Sequence, residues 1–230
     1  MSIAENLKLV QANIARAARA AGREPEDVLL VGATKMNDAA RVKEAIAAGL
    51  PACGENRVQE LLEKNAQGAY EGAQLHFIGT LQRNKVKYLV GTVSLIHSVD
   101  SLELMREIHR QAEKRGVVQD ILLEINAAGE ASKSGFAPEA LPDMLAAAAD
   151  FPALRVRGLM TIPPICAAPE ENLPYFLLLK KLFVDNGAKK YDNVRMDFLS
   201  MGMSGDYEAA ISCGANMVRV GTAIFGRRIY

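Results

Sequence analysis

The chain has 230 residues, half of them hydrophobic, 23% charged and 6% aromatic, with 27 Lys+Arg against 27 Asp+Glu. Such a composition can bury a large core and excludes a disordered chain. Zero net charge leaves no electrostatic footprint for nucleic acid or an anionic membrane. Ile3, Leu7, Val10 and Ile14 recur at helical spacing, so residues 2–22 are expected to form an amphipathic helix rather than a transit peptide. No apolar run approaches the ~18 residues of a membrane span, and a cytoplasmic protein is expected. Cys53, Cys166 and Cys213 are odd in number and widely spaced, so neither a disulfide framework nor a metal site is expected.

From Asp27 onward short apolar runs alternate with helical patterns. "DVLLVGATK" (27–35) is too brief for a helix and reads as a strand; "DAARVKEAIAAG" (38–49) follows with helical period and a terminal glycine. The same alternation continues through "PACGE", "LHFIG", "SLIHSV", "QDILLEIN", "RVRGLMTI", "VRMDFLSMGM" and "NMVRVGTAIFG", making eight strand candidates. Continuously apolar strands separated by helices imply a parallel sheet covered on both faces. Eight such units fit an α/β fold: a single (β/α)8 TIM-barrel domain over residues 1–230 with an extra N-terminal helix. An open doubly wound sheet would want a GxGxxG turn after the first strand, and none is present. The proline-rich stretch 161–174 reads as a long loop after the sixth strand.

In a barrel of this kind the reactive groups sit where strands end. Lys35 stands there on the first strand, after six uncharged residues. Desolvation in that setting favours the free amine, which condenses with an aldehyde; the bland alternative is a solvated lysine. Strands seven and eight run into "SMGMSGD" and "RVGTAIFG", whose glycines and hydroxyls (Ser200, Ser204, Gly221, Thr222) suit a phosphate monoester. Either loop alone could be an ordinary helix cap, through Ser204 or Asp206 and through Thr222. Two such loops opposite a lysine point to a phosphorylated aldehyde, and pyridoxal 5′-phosphate (PLP) matches that description. Arg219 is a permanent donor that would leave a pyridine nitrogen unprotonated; otherwise it is a structural arginine paired with Asp197 or Glu124.

"ATK" (33–35), "GENRVQE" (54–60), "HFIGTLQRNK" (76–85), "HSVDS" (97–101), "SKSGF" (132–136), "GLMTI" (158–162), "LSMGMSGDYEAAI" (199–211) and "VRVGTAIFG" (218–226) together resemble the pyridoxal phosphate homeostasis proteins. That family shares the barrel of the alanine racemase N-terminal domain. The resemblance implies that Lys35 holds PLP as an internal aldimine and that Ser204, Gly221 and Thr222 bind its phosphate with Ser200 nearby. It further implies that Arg219 faces the pyridine nitrogen, that Asn56 lies by the ring hydroxyl and that Met201 packs on the ring. The implied function is intracellular PLP (vitamin B6) homeostasis: holding the cofactor and releasing it to the apo-forms of PLP enzymes, with no catalytic residue assigned. Cys53 and the pair Ala127 and Ala128 depart from the family pattern at positions expected near the barrel mouth.

Among other residues, His76 and His97 read as satisfied barrel histidines and His109 as a surface one. Lys85 and Lys133 fall on βα segments, Lys133 being a weak site candidate; Glu60 is expected one turn into a helix and facing solvent. A racemase-like enzyme is the alternative function, but it needs an acid or base on each face of a carbanion. The racemases resembled take one of these from a second domain that this chain is not expected to carry. A monomer is the expectation on the same ground. A cofactor-free Schiff-base aldolase using Lys35 is the third reading.

Overall fold

A computed structural model describes residues 1–130, 134–187 and 191–226. Eight parallel strands, β1 (Leu29–Ala33), β2 (Ala52–Glu55), β3 (Gln74–Phe77), β4 (Leu95–Val99), β5 (Gln119–Glu124), β6 (Leu154–Met160), β7 (Val194–Ser200) and β8 (Met217–Val220), close in chain order into a barrel. Because successive side chains of a strand point to opposite faces, the apolar residues divide into two cores. Val31, Ala52, Leu95, Leu122, Met160 and Met217 fill the barrel interior. Leu30, Cys53, Phe77, Ile96, Ile121 and Val218 face the surrounding helices. The fold expectation is met in class, strand number and closure.

Helix α1 (Ile3–Ala20) begins in a capping box: the Ser2 hydroxyl accepts from the Glu5 amide at 3.2 Å while the Glu5 carboxylate accepts from the Ser2 amide at 2.8 Å. Its buried face, Ile3, Leu7, Val10, Ile14 and Ala18, lies against α8 (Tyr207–Ser212) and α9 (Thr222–Phe225). Asn6 Nδ2 donates to the Ile224 carbonyl at 3.0 Å, and Asn13 Nδ2 to the Tyr207 hydroxyl at 3.1 Å. The extra helix therefore braces the two short helices that follow the last two strands. The remaining outer helices are α2 (Ala39–Ala47), α3 (Val58–Asn65), α4 (Val86–Leu89), α5 (Leu102–Arg115), α6 (Leu141–Ala148) and α7 (Leu173–Gly187). No helix among the described residues is long and apolar enough to cross a membrane.

The register of β6 slips against β7 between Val156 and Gly158. Gly158 sits at φ +141°, and a Cβ built there would lie 1.9 Å from the Phe198 carbonyl oxygen. Only glycine tolerates both the angle and the approach. The slip sets the phase of the end of β6, sending Met160 inward and the Thr161 carbonyl toward Arg219. Gly158→Ala is therefore expected to destabilise the fold by more than about 3 kcal/mol, a fall of roughly 6–12 °C in the thermal midpoint followed by circular dichroism. An unchanged midpoint would contradict the strain argument.

Candidate functional site

Beyond β1 the Thr34 amide still donates to the Gly54 carbonyl at 3.0 Å, extending the sheet by one residue. Lys35 follows, half-buried, and the chain then turns through Met36 at φ +62°. Two cavities share Lys35 as a wall. The larger, about 410 Å3, is also lined by Asp38, Arg41, Gly221, Thr222 and Phe225. The smaller, about 320 Å3, opens into the barrel mouth and is lined by Asn56, Ile78, Ser98, Glu124 and Ile162. Lys35, beyond the end of β1, and the glycine turn after β8 thus line one cavity.

The turn between β8 and α9 is shaped by two groups. Gly221 lies against the end of β1, where an added Cβ would sit 3.3 Å from that of Ala33. Ser204, in the loop after β7, reaches across so that its hydroxyl accepts from the Gly221 and Ala223 amides at 3.1 and 3.4 Å. It is a cap for α9 delivered from another loop, and Thr222 is the first helical residue rather than the cap. Asp206 fixes the Ser204 loop: its carboxylate accepts from the Met203 amide at 2.6 Å and from Asn172 Nδ2 at 2.8 Å. Ser204 thus takes the Gly221 and Ala223 amides at the opening of α9, which leaves the Thr222 amide without a partner among the described residues.

Arg219 is almost wholly buried and lines neither cavity walled by Lys35. Burial lowers its pKa to about 10, against the opposing charges of Glu124 and Asp206. Its Nη1 donates to Ser200 Oγ at 2.5 Å and its Nη2 to the Thr161 carbonyl at 2.8 Å. Of the two acids expected to pair with it, Asp197 instead accepts from Arg157 Nε at 2.6 Å; Glu124 acts only through its charge. Ser200 continues into a ladder through the barrel interior: His97 Nδ1 lies 3.1 Å from its hydroxyl, His97 Nε2 lies 3.0 Å from His76 Nδ1, and His76 Nε2 lies 3.2 Å from Gln74 Oε1. A guanidinium can only donate, so Ser200 accepts from it and passes its own proton toward His97 Nδ1. On this assignment both rings carry hydrogen on Nε2 and point it toward Gln74. Burial keeps both neutral, pushing His76 down to about 4 and His97 well below its ordinary value. Ser200 is therefore a partner of Arg219, and it is not at the glycine turn.

Met201 is fully buried in the outer core and is not brought to either cavity. Asn56 is: its Oδ1 is buried with no hydrogen-bond partner among the described residues. Glu124, expected from the sequence only as a partner for Arg219, also lines the smaller cavity and, like Lys35, is a charge ending an apolar run. Burial, reinforced by Asp100, raises its carboxyl to about 7. Lys85 lies outside the cavities, its ammonium 5.9 Å from the Tyr88 ring centroid; Lys133 lies outside the described residues.

Three further expectations need correction. Cys53 does not approach the mouth: β2 turns Ala52 and Gly54 inward and Cys53 outward, where burial pushes its thiol up to about 12. Glu60 does not face solvent, because its carboxylate accepts from Lys64 Nζ at 2.6 Å and from the Met36 amide at 2.5 Å. His109 is not a surface residue; it is largely covered, with its ring centroid 5.2 Å from that of Phe151.

Residues 6–228 match the family model of the alanine racemase N-terminal domain. The chain is similar to a pyridoxal phosphate homeostasis protein of Aquifex aeolicus, 44% identical over 230 residues and covering all of both chains. It is also similar to one of Pseudomonas aeruginosa, 44% identical over 229 residues and covering 100% of this chain and 97% of that one. Among solved structures it is similar to PipY of Synechococcus elongatus with PLP bound, at TM-score 0.84 and 31% identity, covering 98% of this chain and 100% of that one.

Proposed function

Since this chain belongs to the alanine racemase N-terminal domain family, alongside the pyridoxal phosphate homeostasis proteins, we propose that it binds PLP, holds it on Lys35 and releases it to apo-forms of PLP enzymes. The observation that carries this reading is the position of Lys35 on the common wall of two cavities, facing the glycine turn that Ser204 ties down. The residues fit the cofactor. Gly221 keeps the turn free of a side chain, and Asn56 Oδ1 is a buried acceptor whose missing donor a phenolic hydroxyl would supply. When bound, PLP supplies an aldehyde that condenses with a primary amine.

The residues divide the work as follows. Lys35 supplies the amine, and Ser204, Gly221 and Thr222 the phosphate contacts. Asn56 takes the ring hydroxyl. The resemblance assigns Arg219 to the ring nitrogen; in the structure it lines neither Lys35 cavity, its guanidinium held by Ser200 and the Thr161 carbonyl. Met201, buried in the outer core, is given no contact with the cofactor. The proposal is of a single-domain, monomeric, cytoplasmic carrier, assigned to holding and transfer rather than turnover.

The test is borohydride reduction of the protein after incubation with PLP, followed by peptide mass spectrometry. A pyridoxyl adduct is expected on Lys35. Its absence, or an adduct confined to other lysines, would overturn the reading.

A further inference from the structure

The turn that presents Lys35 is gripped from behind by α3. Lys64, near the end of that helix, is buried, and its ammonium spends all three donors: on the Thr34 carbonyl at 2.9 Å, on Glu55 Oε1 at 2.8 Å and on Glu60 Oε1 at 2.6 Å. Glu60 Oε1 also accepts from the Met36 amide at 2.5 Å. The two peptide groups on either side of Lys35, the Thr34 carbonyl before it and the Met36 amide after it, are thus held by one Lys–Glu pair. Thr34 is fixed again through its hydroxyl, which donates to Glu55 Oε1 at 2.6 Å, and Tyr70 braces the same oxygen at 3.0 Å.

Met36 shows what this grip opposes. Among the described residues it is the only non-glycine with positive φ, at +62°, and its side chain is 57% exposed. A left-handed L-residue costs about 1–2 kcal/mol, and an exposed side chain recovers little of that by packing. Such a conformation persists only where its surroundings over-determine it. Within the turn Asn37 contributes two bonds, its amide to the Thr34 carbonyl at 3.2 Å and its Nδ2 to the Lys35 carbonyl at 3.1 Å; from outside it, the surroundings are the Glu60 carboxylate on one side and the Lys64 ammonium on the other.

We propose that Glu60 and Lys64 are positioning residues for Lys35, clamping the Thr34–Met36 turn so that the amine is presented to both of its cavities. The inference rests on the reading of Lys35 as the PLP attachment point. The clamp acts on the backbone and touches no cofactor. It also accounts for the two acids of the "GENRVQE" segment, Glu55 and Glu60, which the cofactor contacts leave unused.

The test is a rescue. Glu60→Ala is expected to raise the Kd for PLP about tenfold in a spectrophotometric titration, and to speed hydrogen exchange of the Met36 amide at least about tenfold in the PLP-free protein. Glycine adopts φ +62° without penalty. The double variant Glu60→Ala with Met36→Gly should therefore return the Kd to within about threefold of the unmodified protein, although the contact with Lys64 stays lost. Unchanged affinity in Glu60→Ala, or a double variant that binds no better than the single one, would overturn the clamp as a positioning device. Should Glu60→Ala fail to fold, Met36→Val leaves the clamp intact but sets a β-branched residue at positive φ. That exposed change should also weaken PLP about tenfold, and unchanged affinity would overturn the proposal. If the unmodified protein takes up no PLP, the cofactor reading is what falls. The Met36 exchange rate in Glu60→Ala then judges the clamp alone, an unchanged rate rejecting it.

Discussion

Lys35→Ala is expected to abolish the absorbance band of lysine-linked PLP and to weaken the cofactor by about a hundredfold or more, with the thermal midpoint of the PLP-free protein moving by only a few degrees. The two effects separate because of where the residue sits. Lys35 lies beyond the end of β1, half-exposed and outside both apolar cores, so shortening it removes little buried surface. The proposed phosphate contacts do not depend on it. Ser204 stays fixed to the Gly221 and Ala223 amides, and Asp206 still anchors the loop. What would be lost is the proposed covalent link. Residual, reversible binding through the α9 turn should therefore survive in Lys35→Ala and disappear when Ser204→Ala is added. Titration of both variants by absorbance and by fluorescence of the free cofactor measures the two parts. A Lys35→Ala protein with the band and affinity of the original would move the attachment to another lysine.

The features legible in the sequence share a physical cause. Lys35 and the glycine turn stand out because each interrupts an apolar run at the point where a barrel strand must leave the core. Glu124 carries the same signature at the end of "DILLE" and is found by the same rule once every strand end is searched. The pleat of β2 was less legible. In "ACGE" the inward pair, Ala52 and Gly54, is as small as its neighbour Cys53, so either phase of the strand packs. Only the outward position of Glu55 against Lys64 decides it. Burial of Lys64 is invisible for the same reason: a lysine late in an amphipathic helix is ordinarily solvated, and nothing local announces three acceptors gathered from the turn after β1, from β2 and from α3. The histidine ladder could be read as satisfied but not traced, because His97 and Ser200 meet across 103 positions of chain. Gly158 looks like any strand glycine until the carbonyl of Phe198 is placed beside it.

Glu124→Gln is expected to make the protein more stable at neutral pH, by about 2–3 kcal/mol at pH 8, and no more stable at pH 4. The carboxyl lies at the end of β5, 7% exposed, on the wall of the smaller Lys35 cavity. Burial is the main cause of its raised pKa of about 7, the negative charge of Asp100 adds to it, and Arg219 opposes both. The ordinary value of 4.5 applies to the unfolded chain. Below pH 4.5 the group is neutral in both states and folding is indifferent to it. As pH rises from 4.5 to 7 the unfolded chain releases the proton while the folded one retains it, so the unfolded state binds fewer protons and stability falls. Above 7 both states are ionised and the loss is constant. Glutamine keeps the shape and never ionises, so the variant should lack this decline. Denaturant unfolding from pH 4 to 8 measures it, with a thermal gain of roughly 4–12 °C expected at pH 8. Parallel stability curves for the two proteins would show that Glu124 titrates normally in the fold. Divergence above pH 4.5 would mean that a carboxyl facing Lys35 changes its charge within the neutral range. The electrostatic field on the bound phosphate and the amine would then differ between pH 6 and 8 through this one residue.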